Sequence, residues 1–250
     1  MSARLDGRTA LVTGSTSGLG RAMADAMAAA GAHVVLTGRS KEAGERAVAE
    51  LREAGHTADY VAADLAEGRL EALRLADEAE SLLGGRVDIL VNNAGIVPVG
   101  PTADLDEELY DRAWTVNVKS AFFLTARLAP AMAARGAGVI INTGSIVVRH
   151  GFVGSALYSA TKAAIESLTM SWAAEFGPSG VRVNAIAPGF VATETSPSER
   201  LVGAMTASPA GRPGRAEEIG PLAVYLAGDD AAYVHGASFV LDGGWTTARR

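Results

Sequence analysis

Cysteine is absent from this 250-residue chain, which excludes disulfide bonds, thiolate nucleophiles and cysteine-ligated metals. Histidine is sparse: His33, His56, His150 and His235 are far apart in sequence, and none belongs to an HExxH motif. A metal site is therefore not indicated, and we expect none.

Lysine and arginine form no basic cluster, and the net charge is -6. This balance argues against nucleic acid as the main partner. No apolar run approaches the ~20 residues of a membrane span. The N-terminal stretch MSARLDGRTALVTG lacks the hydrophobic region of a signal peptide. We expect a cytoplasmic protein.

Short β-branched runs alternate along the chain with longer alanine-rich runs. The runs predict strands over residues 9–13, 33–37, 59–63, 88–92, 138–143, 181–187 and 238–241. The helices are predicted at about 18–30, 41–55, 67–84, 106–134, 157–177 and 216–227. This alternation predicts one α/β domain over residues 1–250, with a Rossmann-type, doubly wound, seven-stranded parallel sheet flanked by helices. Ligands are expected at the carboxyl ends of the strands.

Residues 190–215 interrupt the alternation with FVATETSPSERLVGAMTASPAGRPGR, which is rich in Ser, Thr, Pro and Gly. Long irregular segments inside compact domains are usually functional. We interpret this one as a substrate-binding lid, and a loop without a function is the alternative.

A glycine-rich turn, TGSTSGLG, follows the first predicted strand and leads into the first predicted helix. Its spacing is G-x-x-x-G-x-G, and no Gly-Lys-Ser/Thr follows as in a Walker loop. Glycines at this place let the backbone approach a pyrophosphate at a helix N-terminus. The turn therefore predicts dinucleotide binding, and a plain tight turn is the alternative. The binding residues predicted here are Gly14, Ser17, Gly18, Leu19 and Gly20.

The second predicted strand ends in Leu-Thr-Gly-Arg-Ser, with Gly38 where an acidic residue would bind the adenosine ribose hydroxyls. Arg39 follows, and a guanidinium suits a 2′-phosphate. We predict NADP(H) as the preferred cofactor. NAD(H) stays open, with Arg39 stacked on adenine or facing solvent.

The stretch SALYSATK places Tyr158 four residues before Lys162, one turn apart if the stretch is helical. Alone, this spacing is common on half-exposed helices. It stands, however, in a series of ordered motifs: TGSTSGLG, Asp64-Leu65, NNAG, Asn117, Ser145, YSATK, PGFVAT and LDGG. With them, the chain from about Leu5 to Trp245 resembles the short-chain dehydrogenase/reductase family, in particular its 3-oxoacyl-acyl-carrier-protein reductases.

The resemblance implies a catalytic role for four residues. Tyr158 would be the general acid/base, its pKa lowered from ~10 by Lys162 and by the positive nicotinamide ring of the oxidised cofactor. Lys162 would also bind the nicotinamide ribose. Ser145 would donate a hydrogen bond to the substrate carbonyl oxygen. Asn117 would hold a water that relays protons from Lys162.

The resemblance also implies cofactor contacts beyond the glycine turn. Asp64 and Leu65, after the third strand, would contact adenine. The NNAG residues would line the cofactor, and the PGFVAT residues would hold its nicotinamide end. These residues are Asp64, Leu65, Asn92, Ala94, Gly95, Pro188, Gly189, Val191 and Thr193.

The segment that begins at Ser145 precedes Tyr158 and should line the substrate cleft. The predicted substrate contacts are Ser145, His150, Phe152 and Phe190. Phe152 and Phe190 would form apolar walls of the cleft, with a place in the core as the alternative. Arg149 and His150 would contact a polar or anionic substrate, or face water.

Three functions remain open. The leading one is an NADP(H)-linked reductase of ketones, with a 3-oxoacyl thioester on acyl carrier protein as one substrate. The others are an NAD-dependent sugar or polyol dehydrogenase and a non-catalytic nucleotide-sensing protein. A serine hydrolase is disfavoured, because no G-x-S-x-G surrounds Ser145.

Two expectations concern partners. Docking of acyl carrier protein would need a basic patch, for which Arg149, Arg200, Arg212 and Arg215 are the candidates. The family resemblance implies a homotetramer.

Overall fold

Seven parallel strands form the central sheet of the protein, in the order β3-β2-β1-β4-β5-β6-β9. The computed structural model describes residues 5–193 and 208–247. The strands are β1 (Thr9–Val12), β2 (His33–Gly38), β3 (Ala58–Ala62), β4 (Ile89–Asn92), β5 (Gly138–Thr143), β6 (Val181–Pro188) and β9 (Ser238–Leu241). The predicted doubly wound architecture is confirmed.

The strand order reverses between β1 and β4. Strands β2 and β3 lie on one side of β1. Strand β4 pairs with the other side of β1, and β5, β6 and β9 follow it to the opposite edge of the sheet. Such a reversal opens a crevice at the carboxyl ends of the strands, where ligands bind. A separate short parallel pair, β7 (Val191–Ala192) and β8 (Gly214–Arg215), borders the predicted lid. Residues 194–207 of that lid lie outside the described residues.

Helices cover both faces of the sheet. They are α1 (Gly18–Ala29), α2 (Lys41–Glu53), α3 (Arg69–Leu82), α4 (Glu107–Trp114), α5 (Ser120–Arg135), α6 (Ala156–Phe176) and α7 (Gly220–Ala227). The helix predicted over 106–134 is present but not α-helical throughout: a π-helical turn, Thr115–Lys119, joins α4 to α5. Such turns often mark functional sites. Within the described residues, no helix has both the length and the apolar composition of a membrane span.

The alternation of side chains along the strands divides the core into two layers. Val12 and Leu36 pack on one face of the sheet with α1 and α7. Leu11 and Val35 pack on the other face with α3 and α5. Because both faces are covered, the central strands β1, β4 and β5 consist mainly of buried apolar residues, as the sequence predicts.

A buried arginine joins β6 to the end of α7. Arg182 on β6 is 9% exposed, and its guanidinium donates to the carbonyl oxygens of Leu226 (2.6 Å), Ala227 (3.3 Å) and Gly228 (2.8 Å). The last carbonyls of a helix have no partner within the helix. Arg182 satisfies them and so fixes the strand that leads to Pro188 and Gly189.

Replacement of Arg182 by Met should destabilise the protein by about 1–3 kcal/mol, because the helix-end carbonyls lose their donor in a buried place. Urea unfolding followed by circular dichroism measures the change. Arg46→Met, at an exposed position of α2, is the control and should leave the midpoint unchanged. Equal midpoints for both variants would contradict this role of Arg182.

Candidate active site

A cleft of about 480 Å³ lies at the carboxyl ends of β1, β2, β4 and β5. It runs from Arg39, after β2, to Lys162 on α6. Fifteen of the residues predicted to bind the cofactor line it: Gly14, Ser17, Gly18, Leu19, Gly20, Arg39, Asp64, Leu65, Ala94, Gly95, Tyr158, Lys162, Gly189, Val191 and Thr193. Asn92 and Pro188 do not.

The glycine turn leaves room that side chains would fill. A Cβ on Gly14 would lie 2.9 Å from the Cα of Ala94, and one on Gly20 would lie 2.2 Å from the carbonyl oxygen of Gly14. Gly14 and Gly18 have positive φ angles of 61° and 57°. Ser17, the N-cap of α1, makes no side-chain cap hydrogen bond. The first turn of α1 thus presents unpaired N–H groups to the cleft, which fits the pyrophosphate of a dinucleotide.

The two asparagines of the NNAG motif point in opposite directions. Asn92 is buried, and its amide donates to the Asn142 Oδ1 (2.9 Å) and Thr125 Oγ1 (3.3 Å) atoms in the core. Its side chain is therefore turned away from the cleft. Asn93 lines the cleft instead, and its Nδ2 donates to the carbonyl oxygens of Thr13 (2.9 Å) and Gly14 (3.0 Å).

The sequence analysis did not assign Asn93. Successive side chains of a strand point to opposite faces of the sheet. This alternation at the end of β4 is the sequence signal that distinguishes Asn93 from Asn92.

Tyr158 and Lys162 stand one turn apart on α6, as predicted. The Lys162 side chain is buried, its Nζ donates to the carbonyl oxygen of Thr143 (2.8 Å), and it lies 5.8 Å from the centre of the Tyr158 ring. Burial lowers the pKa of Lys162 to about 8. Lys162 is therefore charged near neutral pH, although its pKa lies only slightly above that pH.

In the protein without a cofactor the pKa of the Tyr158 phenol is raised, and the lowering expected with a bound oxidised cofactor stays a prediction. Burial raises its pKa above the usual value, and an interaction with the Ser145 hydroxyl lowers the pKa in part. In the protein alone burial is the stronger effect, and the phenol is protonated at neutral pH. Ser145 stands directly after β5, where it caps a short 3-10 turn.

Asn117 lies in the π-helical turn and is buried. Its Nδ2 donates to the Ile96 carbonyl oxygen (2.9 Å) and to Thr161 Oγ1 (3.0 Å), and its Oδ1 accepts from the Ile96 N–H (2.8 Å). These bonds hold the loop after β4 over the catalytic lysine. A Cβ on Gly95 would lie 3.3 Å from Asn117 Oδ1 and 3.6 Å from Lys162 Nζ. The water relay through Asn117 stays a prediction.

The predicted substrate residues meet around a tryptophan that the sequence analysis left unassigned. Trp245 stacks on Phe152 with ring centres 5.3 Å apart, and its ring lies 5.4 Å from Phe190 and 5.3 Å from His150. Arg149 does not join this group. Its guanidinium lies 3.8 Å from the largely buried carboxylate of Glu166.

Asp242 of the LDGG motif holds the turn that carries Trp245. Its carboxylate accepts from the N–H groups of Gly244 (2.8 Å) and Thr246 (2.8 Å). Burial raises the pKa of Asp242, but hydrogen bonds from Thr246, Gly244 and Trp245 together bring it below the usual value. A Cβ on Gly189 would lie 2.5 Å from the Asp242 Cβ, so the PGFVAT loop packs directly on this turn.

The described part of the chain contains no group of three or more His, Asp or Glu side chains that would hold a metal ion. The fold and the cleft define instead a dinucleotide-dependent enzyme, with a phenol, a hydroxyl and an ammonium at one end.

The chain belongs to the short-chain dehydrogenase family: the family model described as short chain dehydrogenase matches residues 8–201. It is 40% identical over 252 aligned residues to galactitol 2-dehydrogenase (L-tagatose-forming) of Cereibacter sphaeroides, covering 97% of this chain and 96% of that protein. It is 34% identical over 244 residues to the 3-oxoacyl-acyl-carrier-protein reductase of Thermotoga maritima, covering 96% and 98%.

A solved structure of similar fold is gluconate 5-dehydrogenase of Burkholderia cenocepacia in complex with NADP and tartrate. The TM-score is 0.92 at 34% identity, covering 98% of this chain and 97% of that one. The protein is therefore an NAD(P)-dependent oxidoreductase that acts on alcohol or keto substrates.

The buried ammonium predicts a pH-dependent stability. Lowering the pKa of Lys162 from 10.5 to about 8 costs the folded state about 3 kcal/mol at pH 7. Below pH 8 the lysine is charged in both states and this cost is complete. Between about pH 8 and 10.5 the folded protein releases the proton first, so the cost disappears as pH rises.

The stability of the wild type relative to Lys162→Met should therefore increase with pH across this window. Urea unfolding at several pH values measures the difference, with Lys41→Met, at an exposed position, as the control. A difference between wild type and Lys162→Met that stays constant from pH 7 to 10 would contradict the buried-charge interpretation.

Proposed function

We propose that the protein is an NADP(H)-linked reductase that converts ketones to secondary alcohols. The observation that carries this proposal is the cleft itself. Tyr158 and Lys162 line one end, with Ser145 interacting with the phenol, and Arg39 lines the other.

The adenosine end of the cleft favours a 2′-phosphate. Arg39 is exposed there, and no carboxylate among residues 5–193 and 208–247 pairs with it. Asp64 is the one acidic residue of the cleft wall in this part of the chain, and its Oδ1 already accepts from the Ala66 N–H (3.0 Å). A guanidinium without a competing carboxylate binds a phosphate well. The NADP of the Burkholderia enzyme is consistent with this preference.

The groups at this end of the cleft can serve ketone reduction. A nicotinamide dinucleotide in the cleft supplies the hydride. Tyr158, whose phenol is protonated at neutral pH, donates the proton that the carbonyl oxygen needs as it becomes an alcohol. Ser145 is placed to donate a hydrogen bond to the same oxygen as charge develops on it. The Lys162 ammonium stabilises the phenolate that remains.

Two narrower functions remain. The name of the Cereibacter relative supports a sugar or polyol dehydrogenase, and that of the Thermotoga relative supports a reductase for acyl carrier protein.

The arginines predicted to bind acyl carrier protein give little support to it as a partner. Arg212 and Arg215 both pair with Glu218, at 2.6 Å and 3.3 Å, and Arg149 faces Glu166. Arg200 lies outside the described residues.

A cytoplasmic location and a homotetramer stay predictions. Exposed apolar side chains on α5 and α6 support association, since Phe122 is 42% and Met170 is 59% exposed. Light scattering after size exclusion measures the mass, and a monomer would contradict the tetramer.

Tyr158→Phe tests the proposed chemistry. It should lower the kcat of ketone reduction about 10²–10⁴-fold, because a positioned general acid is lost. NADPH affinity, measured by fluorescence titration, should be unchanged. The control is Tyr233→Phe, at a fully exposed position. Unchanged turnover in the Tyr158 variant would contradict the mechanism. Tight NADPH binding by the wild type without turnover of any ketone would favour a nucleotide-sensing protein.

Arg39→Asp tests the cofactor preference. The variant should bind NADPH roughly 10- to 100-fold more weakly, because a charge-assisted contact to phosphate becomes a repulsion. NADH affinity should change much less. The measurement is the dissociation constant of each nucleotide, with Arg46→Asp as the control for net charge. Equal losses for both nucleotides would remove the argument for the 2′-phosphate.

A further inference from the structure

The rings around Trp245 form a continuous half-buried surface, which we call the aromatic wall. It consists of Trp245, Phe152, Phe190 and His150. The ring planes of Phe152 and Trp245 are inclined by 23°, whereas Phe190 meets Trp245 edge-on at 83°. Phe152 and Phe190 also touch, with centres 6.0 Å apart. Three mutually packed aromatic side chains that remain partly open to solvent are typical of a binding surface.

The aromatic wall borders the catalytic end of the cleft. Phe190 stands between Gly189 and Val191, which both line the cleft. Phe152 ends the segment that begins at the catalytic Ser145. Its carbonyl oxygen accepts from the Ser155 hydroxyl (2.9 Å) directly before α6, the helix of Tyr158. The wall therefore lies where the body of a substrate would extend from a carbonyl bound at Ser145 and Tyr158.

Contacts within the protein hold the turn and the loop that carry the wall. The Asp242 carboxylate accepts hydrogen bonds from backbone N–H groups of the turn that contains Trp245. Gly189 approaches Asp242 closely, which holds that turn against the loop of Phe190. A rigid apolar surface binds without a large ordering cost, which favours affinity.

A second apolar surface lies on the loops after β4 and β5, and we call it the valine rim. Val97, Val99 and Val153 are 62%, 66% and 104% exposed. A hydrogen bond from the Gly100 N–H to the Gly154 carbonyl oxygen (2.9 Å) joins the two loops. Val97 also lines the cleft. The mouth of the cleft is thus apolar beside the wall.

Charges are scarce at this end within the described residues. Arg149, the cation next to the wall in sequence, faces Glu166 at 3.8 Å. The cations that line the cleft are Arg39, Arg112 and Lys162, and none belongs to the wall or the rim. The wall and the rim therefore offer no lysine or arginine side chain to a substrate carboxylate.

We propose that the aromatic wall and the valine rim select an uncharged ketone with an apolar body, such as an alicyclic ketone, and that Trp245 is the central residue of this selection. The proposal rests on the proposed function and assigns its substrate class. It distinguishes this protein from a keto-sugar, keto-acid or acyl-carrier reductase, whose substrates present hydroxyl, carboxylate or phosphate groups to the site.

The test is a kinetic panel on the full-length wild type with saturating NADPH. The panel contains cyclohexanone and 2-decalone as apolar ketones, L-tagatose and D-fructose as keto sugars, 5-keto-D-gluconate as a keto acid, and acetoacetyl-CoA as a thioester. The apolar ketones should have the highest kcat/KM, and 2-decalone should exceed cyclohexanone because it buries more apolar surface. The proposal would be overturned if any of the sugars, the keto acid or the thioester had a higher kcat/KM than both apolar ketones.

Variants then test the wall. Trp245→Ala should lower kcat/KM for 2-decalone at least about tenfold, as expected for lost apolar contact in a substrate pocket. Trp245→Phe should restore most of it. NADPH affinity should be unchanged in both variants, which separates a substrate contact from a general loss of structure. Tyr233→Ala removes an aromatic ring from an exposed place and should behave as wild type.

The outcomes separate the two proposals. If Tyr158→Phe abolishes turnover but Trp245→Ala leaves the ratio of kcat/KM for 2-decalone and L-tagatose unchanged, the proposed function stands and the aromatic wall is refuted. If the wild type turns over no member of the panel although it binds NADPH, both proposals are refuted.

Discussion

The buried ammonium of Lys162 is the constraint on which the site depends. An ammonium in a protein interior is unfavourable unless hydrogen-bond acceptors surround it. The end of β5 supplies one acceptor through the Thr143 carbonyl oxygen. The loop after β4 passes over the same ammonium, so that a Cβ at Gly95 would lie 3.6 Å from Lys162 Nζ. Asn117 holds that loop in place through both backbone groups of Ile96. The π-helical turn, the NNAG loop and the end of β5 therefore meet around one charged group.

The same strand ends connect the nucleotide end of the cleft to the catalytic end. Asn93 binds the glycine turn through its amide nitrogen, and its Oδ1 accepts from the Thr143 hydroxyl at 3.3 Å. Thr143 in turn holds Lys162. A short chain of hydrogen bonds thus runs from the pyrophosphate turn to the ammonium, which explains how one arrangement of β1, β4 and β5 positions both ends of a cofactor.

The proposed substrate recognition depends on different parts of the chain. The proposed catalytic groups come from the end of β5 and the start of α6, whereas the aromatic wall adds side chains from the loop after β6 and from the turn after β9. Apolar rings contribute affinity in proportion to the surface they bury, and they discriminate against charged or hydroxylated groups that lose water without gaining a partner. A change in these loops can alter specificity while Tyr158 and Lys162 keep their places, because one fold can host many functions.

The sequence by itself determined the strands, the glycine turn and the pair Tyr158 and Lys162, because these depend on local periodicity and spacing. Only the tertiary structure decided which asparagine of NNAG faces the cleft, because that depends on the face of β4 that packs on the core. Only the tertiary structure placed Trp245 against Phe152 and Phe190, which are distant in sequence and meet through the Asp242 turn. It also decided the direction in which the pKa of Tyr158 shifts, because desolvation of the phenol, which no local pattern encodes, raises that pKa.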